Sequence, residues 1–436
     1  MHASSTPSTA VVIGAGIVGL ACALRLQQCG LTTTLVDAQT RPQGASYGNA
    51  GHIAIEQVEP LASWSTLRSA PRRLFAMGGA LDVRDPLWVA PWALQMACAA
   101  SPRRFEAGRA ALGGLLRQAL PAWRNLVDTL GRRDLLRADG HVVVWESAAS
   151  AARGRATWAR ADIGGARVRD LVQAELDELA AVLRSRPAGG VHFEGTAQVA
   201  DPGLALEVMR DAFEACGGTL RQAPVRALSV QDGRTGAVLT DGSVLQGDCV
   251  LVAAGVGSRA LLATLGIHAP LIAERGYHLQ WSEHNWPLRM PPVVFEDRSL
   301  ILTRFRSGLR AASFVEFARQ ETPPDPRKWR ALGRHASDLG LPVGGEPQPW
   351  MGARPTLPDY LPAIGRSATA PGLLYACGHQ HLGLTLAPLT AHLVAALATG
   401  RPPPVSVQPF DLARFSSARS SSAHFPSRAS SASTRP

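Results

Sequence analysis

Three glycines, Gly14, Gly16 and Gly19, stand in the run VVIGAGIVGL with the spacing G-x-G-x-x-G. The first allows a tight turn. The second lets backbone approach a pyrophosphate, and the third lets a helix pack closely on a strand. The N–H groups opening that helix then face the phosphates. Asp37 ends the next apolar run, eighteen residues after Gly19, where a carboxylate can accept from ribose hydroxyls. The motif, its setting and the acid agree on dinucleotide binding. They do not choose between FAD and NAD.

Four further stretches carry chemistry. LVAAGVGS (251–258) is a strand running into a small-residue turn at Gly255, where backbone can pass close to a cofactor; a plain corner reads equally well. GASYGNAGHI (44–53) holds Ser46, Asn49 and His52 after the second strand and can wrap a phosphate or a ring edge; a loop histidine is the rival for His52. WMGARPTLPDYLPAIG places Arg354 in a proline-rich turn, where a guanidinium can fork onto a carboxylate; the rival is an ion pair with Asp359. GHQHLGLTLAP (378–388) sets His379 and His381 before an apolar helix. H-x-H supplies at most two metal ligands and no third stands near, so no metal is expected. No G-x-S-x-G elbow accompanies the histidines, which argues against a serine nucleophile. The helix opening at Gly383, with Leu384 and Thr385, offers its positive end to an anion or to developing negative charge.

These residues need a scaffold. Strand, helix and strand at Ala10–Gly14, Ile17–Cys29 and Thr32–Val36 make a β-α-β unit. Helical spacing is expected over Arg169–Leu183, and a helix after Asp201-Pro202. Strands follow near 223–230, 236–240 and 248–253, then antiparallel strands over 271–318, a strand at 372–376 and a helix over 384–398. Leu87–Ala100, broken by Pro91, reads as a buried helix, with a helix lying on a membrane surface as the rival. The fold class is α/β, or α+β overall. A Rossmann-like nucleotide-binding domain in pieces (10–85, 190–270 and 346–412) is interrupted by an antiparallel-sheet domain (86–189 and 271–345). Residues 1–9 read as a flexible leader and 413–436 as a low-complexity tail.

The 436 residues exceed one simple core. Lys328 is the only lysine, so 43 of the 44 basic residues are arginine, and the net charge of +10 reflects a compositional bias more than a nucleic-acid partner. Six scattered cysteines form no C-x-x-C pair, which fits a reducing compartment. The opening residues lack the pattern of a signal peptide. The expected location is cytoplasmic, with peripheral contact at the inner face of the cell membrane as the most membrane involvement anticipated.

Taken in order, GAGIVG with Asp37, SYGNAGH, FEGTAQVADP, ERGYHL, ARPTLPDYLPAIG and GHQHLGLT resemble the FAD-dependent D-amino acid dehydrogenases of the D-amino acid oxidase superfamily, over nearly the whole chain. GHQHLGLTLAP is most similar to enzymes acting on D-hydroxyproline-type substrates. The resemblance implies FAD held by Gly14, Gly16, Gly19 and Asp37, with Ser46, Asn49 and His52 on the flavin side, Val225 at the adenine and Gly255 close by. It implies Gly378, His379, Gly383, Leu384 and Thr385 against the flavin ring, the helix end facing its N1–C2 carbonyl. Arg354 would clamp the substrate carboxylate with Tyr277 as helper. The reaction implied is hydride transfer from Cα to flavin N5, with electrons passed on to a quinone or another acceptor. Gly352 stands where some relatives carry a flavin-linked cysteine, so non-covalent FAD is expected. An oxygen-using glycine or sarcosine-type oxidase and a tRNA-base-modifying flavoenzyme are the alternatives.

Overall fold

The computed structural model describes residues 8–39 and 43–418. The expected leader therefore falls outside it apart from Ser8 and Thr9, and the expected tail apart from 413–418.

The apolar runs AVVI, CVLV and LLYAC are buried on both sides, as strands of a parallel sheet must be. Five parallel strands lie in the order Thr219–Gln222, Thr32–Asp37, Thr9–Ile13, Cys249–Val252 and Leu373–Cys377, with Ala363–Arg366 antiparallel at the edge. Helices Ile17–Gln28, Gly383–Thr399 and Pro202–Ala215 contribute to one core with the sheet. Asp201 caps the last of these, accepting from Gly203 and Leu204 N–H. The small sheet of Val225–Gln231, Arg234–Leu239 and Val244–Gln246 contributes to a separate core with the parallel strands. The helical stretch Gln380–Thr399 is apolar and long enough to cross a bilayer, but it is mostly buried in the protein.

The second unit is a nine-stranded sheet. It runs from Gln348–Thr356 through Ile272–Trp281, Gly308–Phe317, Leu300–Phe305, Val293–Phe295, His141–Trp145 and Gly189–Glu194 to Arg167–Asp170, with Leu81–Val83 paired to Gly308–Phe317. Two pairings are parallel, so the sheet is mixed where an antiparallel one was expected. The expected boundaries shift too. Strands 81–83, 189–194 and 348–356 belong to this sheet, because their backbone ladders run here. Helix Pro102–Thr129 belongs with the parallel unit, because Leu112, Leu116, Leu120, Trp123 and Val127 fill that core.

Two helices differ from expectation. Over 169–183 the chain is strand to Asp170 and helix only from Gln173 to Ala180. The ladder to Gly189–Glu194 takes the first residues, and the Glu175 carboxylate accepts from Val172 N–H at 2.9 Å to start the helix later. The Leu87–Ala100 stretch is a helix, Pro86–Ala99, but it buries only Val89, Trp92 and Met96.

The sole lysine stands in helix Pro326–Leu339 and is fully buried. Its ammonium lies 2.6 Å from Asp82, 3.4 Å from Asp325 and in contact with Glu316. Residues 413–418 are folded: Arg414 pairs with Asp359 at 2.7 Å, so the tail begins later than expected.

Candidate active site

A cleft of about 640 Å³ opens at the C-terminal ends of the parallel strands, where ligands gather in such sheets. Gly14 and Gly16 form its floor. Gly14 has φ +105°, and a Cβ there would come within 2.6 Å of the Ala253 carbonyl oxygen. Gly19 lies behind the wall: a Cβ would fall 1.8 Å from the Gly14 oxygen, so its absence lets the helix seat on the turn. Asp37 accepts from Ala15 N–H at 2.7 Å and Gln39 N–H at 2.8 Å. Those two bonds fix the carboxylate and leave lone pairs for ribose hydroxyls. Ser46, Asn49 and Val225 also line the cleft, as do Gly255, His379, Gly383 and Leu384. Gly255 has φ +57° and open space where its Cβ would point. Ser46 Oγ accepts from Ile17 N–H at 3.0 Å, so it occupies one of the donors at the helix start. Glycine floor, acidic rim and open helix end together suit a dinucleotide such as FAD.

Several expected contributors stand elsewhere. Gly378 turns the chain at φ +72°, against Leu357, outside the cleft lining. Thr385 is buried, and its hydroxyl accepts from Ala54 N–H at 3.1 Å, tying helix Gly383–Thr399 to the 52–54 segment. His52 also stands outside the lining. Its Nε2 is 3.0 Å from Glu56 Oε1, and its ring meets His141 edge-on at 4.3 Å. Burial is the largest single influence and disfavours the Glu56 carboxylate, but His52, His141 and a backbone hydrogen bond together outweigh it and the group falls to about 2. His379 and His381 do not point at a common partner: His379 Nε2 meets Thr390 Oγ1 at 3.1 Å, and His381 Nε2 meets Gln57 Oε1. Burial lowers both imidazoles to about 4, so both are neutral near pH 7.

Arg354 lies on strand Gln348–Thr356 directly opposite Glu274. Its neighbours Ala353 and Pro355 line the cleft. Its Nη1 donates to Glu274 Oε1 at 3.2 Å and to the Phe314 carbonyl at 3.4 Å. The rival partner Asp359 is taken by Arg414. Glu274 is 2 % exposed and also accepts from Thr356 Oγ1 and Tyr360 Oη, both at 3.2 Å. Glu274, Glu56, Arg354 and His52 all lie near enough to His381 to act on its charge.

Strand alternation corrects Tyr277. On a regular strand, Glu274 and Gly276 share the Arg354 face, and Arg275 and Tyr277 take the other. Tyr277 Oη donates to Glu316 at 2.9 Å and accepts from Asp325 N–H at 3.1 Å, inside the core. It cannot reach a ligand held by Arg354. The tyrosine that shares Glu274 with Arg354 is Tyr360.

The backbone is strained at this point. Phe314, Tyr360 and Gln380 have φ of +69°, +56° and +48°, three of five such non-glycine residues in the described chain. A bulge opposite Gly276 turns the Phe314 carbonyl towards Arg354. Gln380 Nε2 donates to the Tyr360 carbonyl. Strain of this kind persists where packing over-determines it, and it gathers at functional sites. Glu274, Gly276, Phe314 and Tyr360 escaped the sequence reading. The strand parity of ERGYHL was the signal available for the first two.

Residues 9–397 match the family model described as "FAD dependent oxidoreductase". A D-amino-acid oxidase of Bradyrhizobium diazoefficiens is 30% identical over 93% of this chain and 98% of its own length. A D-amino acid dehydrogenase of Vibrio vulnificus is 30% identical over 90% and 96%. Among solved structures, glycine oxidase from Geobacillus kaustophilus shares the fold with a TM-score of 0.70 at 19% identity, covering 94% of this chain and 98% of that one.

Proposed function

The chain belongs to the family of FAD-dependent oxidoreductases, and on that premise we propose that it oxidises a small D-amino acid whose carboxylate is held by Arg354. The observation that carries this reading is the Arg354–Glu274 pair, framed by the strained Phe314, Tyr360 and Gln380 beside the cleft. Glu274 engages one edge of the guanidinium, through Nη1. The remaining N–H groups are free to fork onto a carboxylate. Bound FAD supplies the two-electron acceptor.

The residues supply orientation. Gly14, Gly16 and Asp37 hold the dinucleotide. Arg354 fixes one end of the substrate, so that its Cα–H has a single presentation. The neutral His379 and His381 add no charge to the pocket. No side-chain base is needed if the amine enters unprotonated. Within the substrate class, cyclic D-imino acids such as cis-4-hydroxy-D-proline are the first candidates, on the GHQHLGLTLAP motif. A quinone or similar carrier is the proposed electron acceptor. Oxygen is the second reading, favoured by the relative named as an oxidase. FAD is proposed to be non-covalent, given Gly352.

The test is the visible spectrum recorded without oxygen, before and after adding D-amino acids and cis-4-hydroxy-D-proline. Bleaching by a D-isomer and not its L-isomer is expected. A spectrum unmoved by any of them refutes the substrate class. Peroxide formed under air at the rate of dye reduction would replace the quinone by oxygen. Flavin that stays with acid-precipitated protein would overturn non-covalent binding.

A further inference from the structure

Nine large hydrophobic side chains are exposed among the described residues, and five of them fall between positions 61 and 94: Leu61, Trp64, Met77, Leu87 and Leu94. Leu87 is 89 % exposed, Met77 75 % and Leu94 68 %. Helix Pro86–Ala99 carries two of the five, Leu87 and Leu94. Its inner stripe, Val89, Trp92 and Met96, packs with Ala62, Ile272, Phe317 and Tyr360. Its outer stripe is Leu87, Ala90, Pro91, Leu94 and Cys98, all exposed and none charged. The spacing is that of one helical face, so this helix is apolar on the side turned to solvent as well as on the side turned to the core. The neighbouring helix, Trp64–Ser69, buries no residue, although Leu67 packs on the same cluster.

Arginine predominates in the same stretch of chain. Positions 61–104 hold six arginines and two aspartates. Asp82 is bound to Lys328, and Asp85 to Arg319 and Trp88 N–H. Arg68, Arg72, Arg73, Arg103 and Arg104 are exposed, and none has an ion-pair partner among the described residues. An uncharged helix face carrying Leu87 and Leu94, with exposed Trp64 and Met77 in the segment before it and unpaired arginines in the segments before and after it, matches the requirements of a helix lying in the headgroup region of an anionic bilayer. Exposed apolar patches of this kind otherwise carry a solubility cost.

We propose that the Leu61–Arg104 surface docks this protein on anionic lipid membranes, with Leu87 and Leu94 entering the acyl boundary and the arginines meeting lipid phosphates. Docking is peripheral: helix Gly383–Thr399, the long apolar helix, stays in the core. The inference does not depend on the substrate or on the electron acceptor.

The test is flotation of the flavin-loaded protein with vesicles of phosphatidylcholine alone or mixed with phosphatidylglycerol. Co-flotation with the mixed vesicles is expected, weakening in high salt. The double variant Leu87→Glu/Leu94→Glu should lower vesicle binding at least tenfold, with the flavin spectrum unchanged. The double variant Arg72→Glu/Arg73→Glu should weaken phosphatidylglycerol dependence by roughly fivefold or more per arginine, the scale of one basic residue near such a surface. Absence of co-flotation, or binding that survives the leucine changes, overturns the proposal. So does a wild-type dimer that the leucine changes convert to a monomer without vesicle binding, because the face would then join two copies of the chain.

Discussion

Replacing Arg354 by lysine tests the carboxylate clamp most directly. The guanidinium spends Nη1 on Glu274 at 3.2 Å and keeps its other donors in a fixed fork. A lysine ammonium is a point charge without that fork, and Glu274, opposite it on the neighbouring strand, would capture it. The substrate carboxylate would then lose up to two charge-assisted hydrogen bonds, each worth roughly 1.5–3 kcal/mol. Allowing for partial compensation, the net loss is about 2–4 kcal/mol, or about 30- to 1000-fold in kcat/KM at ~1.4 kcal/mol per decade. Anaerobic stopped-flow reduction of the flavin by a D-amino acid measures it, with flavin content as the control for folding. Gly276→Ala should act in the same direction, because a Cβ there would sit 2.3 Å from Arg354 Nη2. Its effect should be smaller, as that nitrogen ends a flexible side chain. Two results refute the reasoning: Arg354→Lys within threefold of wild type, or an equal loss against an amine that has no carboxylate.

Gly14→Ala should abolish FAD retention, since its φ of +105° and the 2.6 Å approach to the Ala253 oxygen exclude a Cβ; flavin content after purification reads this out. Lys328→Met should cost about 1–3 kcal/mol of stability by removing one cation from the Asp82–Glu316–Asp325 cluster, where Arg275 still pairs Glu316 and Arg327 still pairs Asp325, seen as a lower midpoint in urea. Buried His141, His278 and His379 have imidazoles lowered by burial to about 3, 3 and 4, against 6.5 in the unfolded chain. Protons therefore bind the unfolded chain first as pH falls below 6.5, and stability rises with pH from about 4 to 6.5. The slope should approach ~4 kcal/mol per pH unit for three sites, and denaturant midpoints taken between pH 4.5 and 7 that show no such rise would exclude it.

The cofactor half of the site was legible in sequence because it is local. Gly14, Gly16, Gly19 and Asp37 lie within one β-α-β unit, and short-range sterics dictate what each must be. The substrate half was legible only in part. Arg354 was identifiable by type, but its partner Glu274 stands 80 residues away and meets it only through strand register. Tyr277, expected as a helper to Arg354, takes the opposite face, because one residue of parity decides which side of a sheet a side chain takes. Thr385 was expected to touch the cofactor, yet a helix start offers a hydroxyl two uses, and here packing against Ala54 claims it. The apolar run 87–100 looked like core because composition cannot say which face of a helix is covered. Arg414, read as tail, is tied down by an aspartate 55 positions earlier.

The solitary buried lysine has a practical consequence. Lys328 carries the only ε-amine in the chain, and it is fully enclosed. Amine-reactive dyes and couplings will therefore attach to the native protein at its N-terminal amine alone, giving a uniformly tagged preparation. A lysine-specific protease has a single bond to cut, and that bond lies within a helix. Cleavage into two fragments would count unfolding events one molecule at a time, a clock for global opening written into the composition of the chain.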